Sequence, residues 1–396
     1  MRILMVAHSF PRSPGDIAGA ALWRLAEGLV GRGHEVTAIA PADRGDVGEP
    51  MLGRVRVRRV RYASPAAEVL AYQGTMHVQA ARNPLHAVNV VRMVRALSRA
   101  VEEEIQGGGV HVVHANWWVP GGLAVRYARR QGRPFVVTLH ASDVRLAGKV
   151  PGARLAMTSV LRQATTVTAV SGYLAAKAAA AMGVPRTSLP VTPMPLATGF
   201  MGDLDAARSG AIFVGRLARE KGVHVLLEAM AVLRREGVPL ELTVVGDGPE
   251  RAALKAQARA LGLSVTFTGF VAPELVANHL RDKQVFVLPT LEEEIGLGVG
   301  EALVHGVPVV ATRCGGIPDF LADPEAGILV GPADAVALAG AMREVVTHER
   351  FLSAAWRAGR MLAERLSPEG VAARFEELYT ATRASRRSLA RLTSAG

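Results

Sequence analysis

The chain of 396 residues has a single cysteine, Cys314, so no disulfide can form within it. That scarcity fits a reducing compartment, and Cys314 reads as a small packed residue rather than a nucleophile. No apolar run reaches the roughly 18–20 residues needed to cross a bilayer. The opening MRILMVAHSF is short for a signal peptide and reads as a first strand, so the expected location is cytoplasmic. Lysine is scarce too, at five of the 46 basic residues, yet the formal net charge is +11. A basic surface suits nucleic acid, anionic lipid or an anionic ligand. No cysteine–histidine zinc pattern and no aromatic-rich RNA-binding signature accompanies it, which sets nucleic acid aside. The densest basic run, Arg54 to Arg61, alternates like a strand with one wet cationic face. Two nucleotide motifs are also missing. Neither the first glycine loop (HSFPRSPGDIAGA) nor VVGDGPE (244–250) matches G-x-G-x-x-G or a P-loop.

What is present is a rhythm. Short β-branched runs at 2–7, 35–40, 55–60, 110–115, 134–139 and 165–170 alternate with helical stretches such as 18–32 and 84–105. Residues 184–209 break the rhythm with four prolines and two glycines, the composition of a linker. It restarts with runs at 211–215, 240–246, 264–269, 284–289, 307–312 and 327–331, followed by helices from about Pro332 to Leu378. Alternation of this kind gives an α/β fold with parallel sheets covered on both faces. Two such units in tandem leave a crevice, and ligands of these sheets bind beyond the carboxyl ends of the strands. The expected division is 1–192, 193–368, and a final helix at 369–396 packing back on the first domain with a frayed basic tail.

Four constellations carry chemistry. VFVLPTLEEEIGLGVGEALVHGVPVVATRCGGIPDF, from Val285 to Phe320, places Glu293 and Glu301 around a glycine-interrupted helix start. A carboxylate accepts hydrogen bonds from two neighbouring hydroxyls at once, which suits a polyol. The amides opening the helix suit a phosphate. Glycines at 296, 298 and 300 each disfavour a helix interior by about 1 kcal/mol, which points to close backbone approach by a ligand. In AIFVGRLAREKG, Arg216 and Lys221 lie between a buried strand and a helix, where two cations suit a diphosphate. In TLHASD, His140 ends a strand, and Asp143 either orients it or meets an acceptor. The first glycine loop, with Gly15 and Gly19, lets a phosphate or sugar approach the backbone. Trp117 and Trp118 follow a strand, where sugar stacking and core packing are equally open. Asp203 and Asp205 have the spacing of a metal-binding carboxylate pair but no strand before them, so no metal site is expected. Residues 88–101, VNVVRMVRALSRAV, pattern as a basic amphipathic helix that either covers the sheet or lies on anionic lipid.

Taken in order, these segments resemble the retaining glycosyltransferases of family 4, over nearly the whole chain. The resemblance rests on the N-terminal glycine loop, GHEVTAIAP (33–41), TLHASDV, AVSGYLAAKAAAAMGVP (169–185), VGRLAREKG (214–222), VVGDGPE, FTGFV (267–271) and the long glutamate motif. It implies the GT-B fold, two Rossmann-like domains facing each other across a deep cleft, the first for the acceptor and the second for a nucleoside diphosphate sugar. Arg216 and Lys221 would then bind the diphosphate, Glu293 the sugar hydroxyls and Glu301 the ribose. Gly296 and Leu297 would offer amides to sugar and phosphate. Phe270, beside Gly269, would lie by the base. Gly19 would approach the donor phosphate, and His140 the transferred sugar. Trp117, Trp118 and Asp143 are the weaker acceptor candidates. No cofactor is obligatory in that chemistry. The acceptor would be a glycan, lipid or small metabolite, and peripheral contact with an anionic membrane is a separate expectation. The sequence departs from the family at Glu294 and Ile295, at PMPLATGF and at Ala141, which weakens any choice of sugar. Two rivals remain: a sugar-nucleotide epimerase of similar architecture, and a catalytically silent nucleotide-sugar-binding protein.

Overall fold

The computed structural model describes residues 1–48, 50–72, 76, 84–197, 199–205 and 207–393. The chain divides into two compact units, Met1–Pro195 with Pro368–Gly396, and Leu196–Ser367. Of the expected linker, Thr198 and Ala206 lie outside the described residues, as do the last three residues of the tail.

The first unit is a seven-stranded sheet in the order β3-β4-β2-β1-β5-β6-β7. Its strands are β1 (Arg2–Val6), β2 (Glu35–Pro41), β3 (Met51–Leu52), β4 (Val55–Val60), β5 (Val112–Asn116), β6 (Phe135–Leu139) and β7 (Thr166–Ala169). All neighbours run parallel except β3, which forms a short antiparallel hairpin with β4. The helices between are α1 (Ala20–Gly31), α2 (Pro84–Gln106), α3 (Arg126–Arg130), α4 (Ala141–Lys149), α5 (Ala153–Leu161) and α6 (Gly172–Met182). β5 and β6 are buried at every position, as strands covered on both faces must be. The sheet order reverses at β1 and β5, so the loops after these strands diverge and open a crevice at their carboxyl ends.

The basic run in and around β4 alternates and keeps Arg54 and Arg56 exposed, but its cationic face is paired. Carboxylates from the flanking helices meet the guanidinium groups: Arg54 pairs with Glu27 of α1, Arg56 with Glu104 and Arg58 with Glu103 and Glu104 of α2. Arg61 pairs with the buried Glu68, and Arg59 donates to the Phe10 and Pro11 carbonyls.

The C-terminal helix, Pro368–Thr393, belongs to this unit and runs well past Leu378. Its last turns hold alanine, arginine and leucine with no glycine or proline, a composition that favours helix. It packs along α1, where Gly28 admits the Pro368 carbonyl and Arg32 pairs with Glu376 at 2.6 Å. Deeper in, Tyr379 is fully buried and its hydroxyl lies 2.8 Å from His114 Nδ1, while His114 Nε2 lies 2.7 Å from Thr138 Oγ1.

The second unit is a six-stranded, all-parallel sheet in the order β10-β9-β8-β11-β12-β13. Its strands are β8 (Ala211–Val214), β9 (Leu242–Val245), β10 (Val265–Gly269), β11 (Val285–Leu288), β12 (Val309–Thr312) and β13 (Gly327–Val330). The helices are α7 (Val223–Arg235), α8 (Arg251–Ala260), α9 (Pro273–Leu280), α10 (Leu297–Val304), α11 (Ala335–Thr347) and α12 (Arg350–Arg365). Here the order reverses between β8 and β11, so the loops that carry Lys221 and Glu293 leave from neighbouring strands at the switch point.

Candidate functional site

In the second unit the loop after β11 is bound to the loop after β8. Leu291 N and Thr290 Oγ1 both donate to the Glu220 carbonyl, at 2.7 and 2.9 Å. Gly222 caps α7 in a left-handed conformation (φ 68°), and its missing Cβ admits the Pro289 carbonyl. Gly315 (φ 55°) likewise admits the Glu293 carbonyl. These close backbone approaches bring Lys221 Nζ to 2.8 Å from Glu293 Oε2, with side chains 26% and 16% exposed. The other carboxylate oxygen, Oε1, accepts from the Glu294 and Ile295 amides at 3.0 and 3.3 Å. Burial pushes the Glu293 carboxyl up, but the Lys221 ammonium and the two amides outweigh it and hold the group below its ordinary value. Arg216 is exposed just after β8 and makes no side-chain hydrogen bond or ion pair among the described residues.

Gly296 caps α10 with φ 89°, which leaves the opening Leu297 and Gly298 amides without intrahelical acceptors, while the Val299 amide donates to the Gly296 carbonyl at 3.0 Å. Glu301 stands one turn along from Leu297, half-buried, its carbonyl accepting from His305 Nδ1 at 2.8 Å. Gly269 ends β10 at φ 77°, and Phe270 beside it is 75% exposed, an unusual placement for a phenylalanine. One end of this sheet thus offers an exposed arginine, an ammonium–carboxylate pair, a helix amino terminus and an exposed ring. That set of groups matches an anion, hydroxyls and a flat base.

In the first unit, His140 caps α4, its amide donating to Asp143 Oδ1 at 2.9 Å. Its ring stacks on Trp117 with centroids 4.3 Å apart, and Nε2 lies 3.1 Å from Asn116 Oδ1. Burial pushes the His140 imidazole down to about 3. Gly19 (φ 77°) caps α1.

Two family descriptions match the chain: "Glycosyl transferase 4-like domain" over residues 18–195 and "Glycosyl transferases group 1" over 208–348. The GDP-mannose-dependent alpha-(1-6)-phosphatidylinositol monomannoside mannosyltransferase of Mycolicibacterium smegmatis is 30% identical, covering 90% of this chain and 92% of that relative. The chain belongs to the group 1, family 4 glycosyltransferases. The glycogen synthase of Mycobacterium tuberculosis is 27% identical over 93% of this glycosyltransferase and 91% of the synthase. In structure it is similar to a sucrose-phosphate synthase from Thermosynechococcus elongatus, with TM-score 0.73 and 21% identity over 97% and 100% of the two chains. Anabaena HepE in complex with UDP-glucose aligns with TM-score 0.65 and 19% identity over 96% and 100%. The fold is therefore GT-B, and the activity is sugar transfer.

Several readings of individual residues in this glycosyltransferase change with the geometry. Trp118 is 3% exposed, its indole Nε1 donating to the Asp143 carbonyl at 2.7 Å, so it packs the core and has no face for a sugar. Asp143 is likewise buried: its carboxylate accepts from the amides of Trp118, His140 and Val144, so it orients His140 and is turned away from any acceptor. Burial pushes that carboxyl up to about 7, against the three amides that favour its ionised form. Gly298 and Gly300 make room for the enzyme's own rings, Phe286 at 3.2 Å and Phe320 at 2.8 Å from where a Cβ would stand, so only Gly296 keeps a backbone reason tied to the site. Gly19 faces the Ser9 carbonyl and Phe10 backbone in the same way. Asp203 Oδ1 accepts from the Asp205 amide, and among the described residues no cluster of three or more His, Cys, Asp or Glu is placed to hold a metal. Cys314 donates weakly to the Leu291 carbonyl, and burial raises its thiol pKa, away from thiolate chemistry. His8 and Asn116 join the His140 cluster without any sequence motif. The one available sign was their place directly after or at the end of a strand.

Proposed function

We propose that this glycosyltransferase takes its sugar from a nucleoside diphosphate sugar and passes it to an acceptor hydroxyl with retention of anomeric configuration. The second unit is the donor domain and the first the acceptor domain. The Lys221–Glu293 pair at 2.8 Å, on loops from adjacent strands and beside the α10 amino terminus, carries the reading. One ammonium and one carboxylate held together match a phosphate attached to a polyol. The relatives support it: one is GDP-mannose-dependent by name, and a structural neighbour is in complex with UDP-glucose.

In this mechanism Arg216, Lys221 and the amides of Gly296 and Leu297 stabilise the charge that develops on the leaving diphosphate, so no metal or organic cofactor is required. Glu293 grips sugar hydroxyls and Glu301 the ribose, with Gly269 and Phe270 beside the base and the Gly19 turn near the phosphate. A departing phosphate oxygen takes the acceptor proton on the same face of the sugar, which gives retention without a carboxylate nucleophile. His140 positions the sugar through its backbone carbonyl. The acceptor is a glycan, lipid or small molecule meeting Trp117.

Thermal shift against a panel of nucleoside diphosphate sugars tests the proposal. One base and sugar should raise the melting temperature, and no shift with any member would refute it. Product analysis then separates transfer, which releases the nucleoside diphosphate, from epimerisation, which leaves a new nucleotide sugar intact.

One observation favours a membrane as the working surface. The outer face of α2 exposes Val88 and Val91, each 49% exposed, together with Arg92, Arg95 and Arg99, while Met93 and Leu97 pack inward. Apolar side chains interleaved with cations suit an anionic bilayer surface. Vesicle flotation should show binding that rises with anionic lipid and falls with salt. Equal recovery from neutral and anionic vesicles would remove this part of the reading.

A further inference from the structure

The loops that leave β1, β5 and β6 set three rings in a row at one end of the first unit's sheet: His8, Trp117 and His140. Trp117 stacks on His140 with an interplanar angle of 26°, and His8 meets the indole edge-on at 5.8 Å. Trp117 has φ 64°, a left-handed conformation that bulky L residues avoid. Such strain costs about 1–3 kcal/mol and persists only where the surroundings over-determine it. Here they do. The indole Nε1 donates to Ser142 Oγ at 3.1 Å, and the following amide, Trp118 N, is held by the Asp143 carboxylate at 3.0 Å. On its other side His140 Nε2 faces Asn116 Oδ1 at 3.1 Å. Asn116 is fully buried and its Nδ2 has no partner, so the amide has no competing bond to turn toward.

We propose that Trp117 is a positioning residue for His140: its strained backbone and stacked indole press the imidazole against Asn116 and keep water from one face of the ring. The inference rests on the reading above that His140 attends the transferred sugar. Its consequence is that the ring stays uncharged at working pH, because the charged form would lose solvation on the face that the indole covers. The titratable groups facing His140 are His114 from β5 and Asp143 from α4, and His8 lies along the indole from β1. His114 is itself held uncharged by burial. Asp143, its carboxyl pushed up to about 7 by burial, meets the His140 backbone amide, and its titration is common to the wild type and both Trp117 variants. A trio of neutral or amide-bound neighbours leaves the indole as the element whose removal changes the ring's access to water.

The decisive variant is Trp117→Gly. Glycine accepts φ 64° without strain, so the backbone keeps its path while the ring is lost. Trp117→Phe keeps a ring and serves as the rescue. Histidine side chains labelled with carbon-13 are titrated by NMR in the full-length protein, with His140→Gln for assignment. His140 should stay untitrated between about pH 5 and 8 in the wild type and in Trp117→Phe, and should titrate near pH 6 in Trp117→Gly, toward the ordinary histidine value. In parallel, donor turnover by Trp117→Gly at about pH 5 should fall roughly tenfold relative to its own value near pH 8, because the charged ring draws in water and carries the His140 backbone carbonyl away from the sugar. Wild type and Trp117→Phe should show no such drop. A silent His140 in Trp117→Gly, ordinary titration in the wild type, or a loss of turnover equal at every pH would each overturn the inference. The NMR titration needs no substrate. Absence of donor turnover in the wild type would strike the proposed function, and the titration would still decide the role of Trp117.

Discussion

Lys221→Ala removes one half of the ammonium–carboxylate pair, and its effects on stability and on donor binding separate cleanly. In the free protein Glu293 loses one charge-assisted hydrogen bond but keeps the Glu294 and Ile295 amides. A half-buried pair of this kind is worth about 1–2 kcal/mol. A unit of this size shifts about 2–4 °C per kcal/mol, so the variant should melt about 2–8 °C lower. Donor binding should suffer more. A lysine bonding a diphosphate contributes about 1.5–3 kcal/mol, so its loss weakens the donor roughly 10–150-fold. With donor at about 100 times its wild-type dissociation constant, ligand stabilises the wild type by about 2.7 kcal/mol, a shift of about 5–11 °C. After a hundredfold weakening the same concentration supplies only about 0.4 kcal/mol, a shift of about 1–2 °C. Differential scanning fluorimetry with and without donor reads both numbers. Glu293→Ala tests the other partner through turnover, which should collapse because sugar hydroxyls lose their acceptor. If Lys221→Ala lowers the melting temperature yet keeps the full donor-induced shift, the pair is a structural clasp and the assignment of the diphosphate to Lys221 is wrong.

Two further outcomes follow from buried groups of the first unit. Tyr379→Phe keeps the packing of the C-terminal helix but leaves His114 Nδ1 without its partner at 2.8 Å, so it should cost about 1–3 kcal/mol in urea unfolding, and an unchanged midpoint would refute the hydrogen bond's role. Between about pH 4 and 6 the unfolded chain binds protons on His114 and His140, which burial holds down to about 3 in the fold, while folded Asp143, pushed up to about 7, keeps one proton that the unfolded chain releases. The unfolded state therefore binds about one more proton from these three groups, and stability should rise with pH across that window by about 1.4 kcal/mol per unit, read by urea midpoints; a flat or falling profile would contradict the lowered basicity of the two histidines.

The layered architecture was readable because period and composition act locally. Buried strands such as β6 and β11 need continuous apolar runs whatever the rest of the chain does, and the run of prolines and glycines between the two series could not sustain either element. Ion pairing was not readable, since it depends on what lies across space. The arginines in and beside β4 look like an unpaired cationic stripe until Glu27, Glu103 and Glu104 arrive from helices distant in sequence.

The glycines of the glutamate motif show why a motif's residues do not all share its purpose. Gly296, Gly298 and Gly300 stand at alternate positions and invite a single explanation, a ligand against bare backbone. The fold splits them. Gly296 is required by its left-handed φ of 89° at the start of α10, which aims unpaired amides out of the sheet's end. Gly298 and Gly300 are required because Phe286 and Phe320 occupy the space their side chains would take. A helix seated that tightly on its sheet holds its amino terminus at fixed depth beside Glu293. The two packing glycines thus act on the site indirectly, by setting where the amides and Glu301 stand, and the same sequence signal that marks a binding element marks the packing that immobilises it.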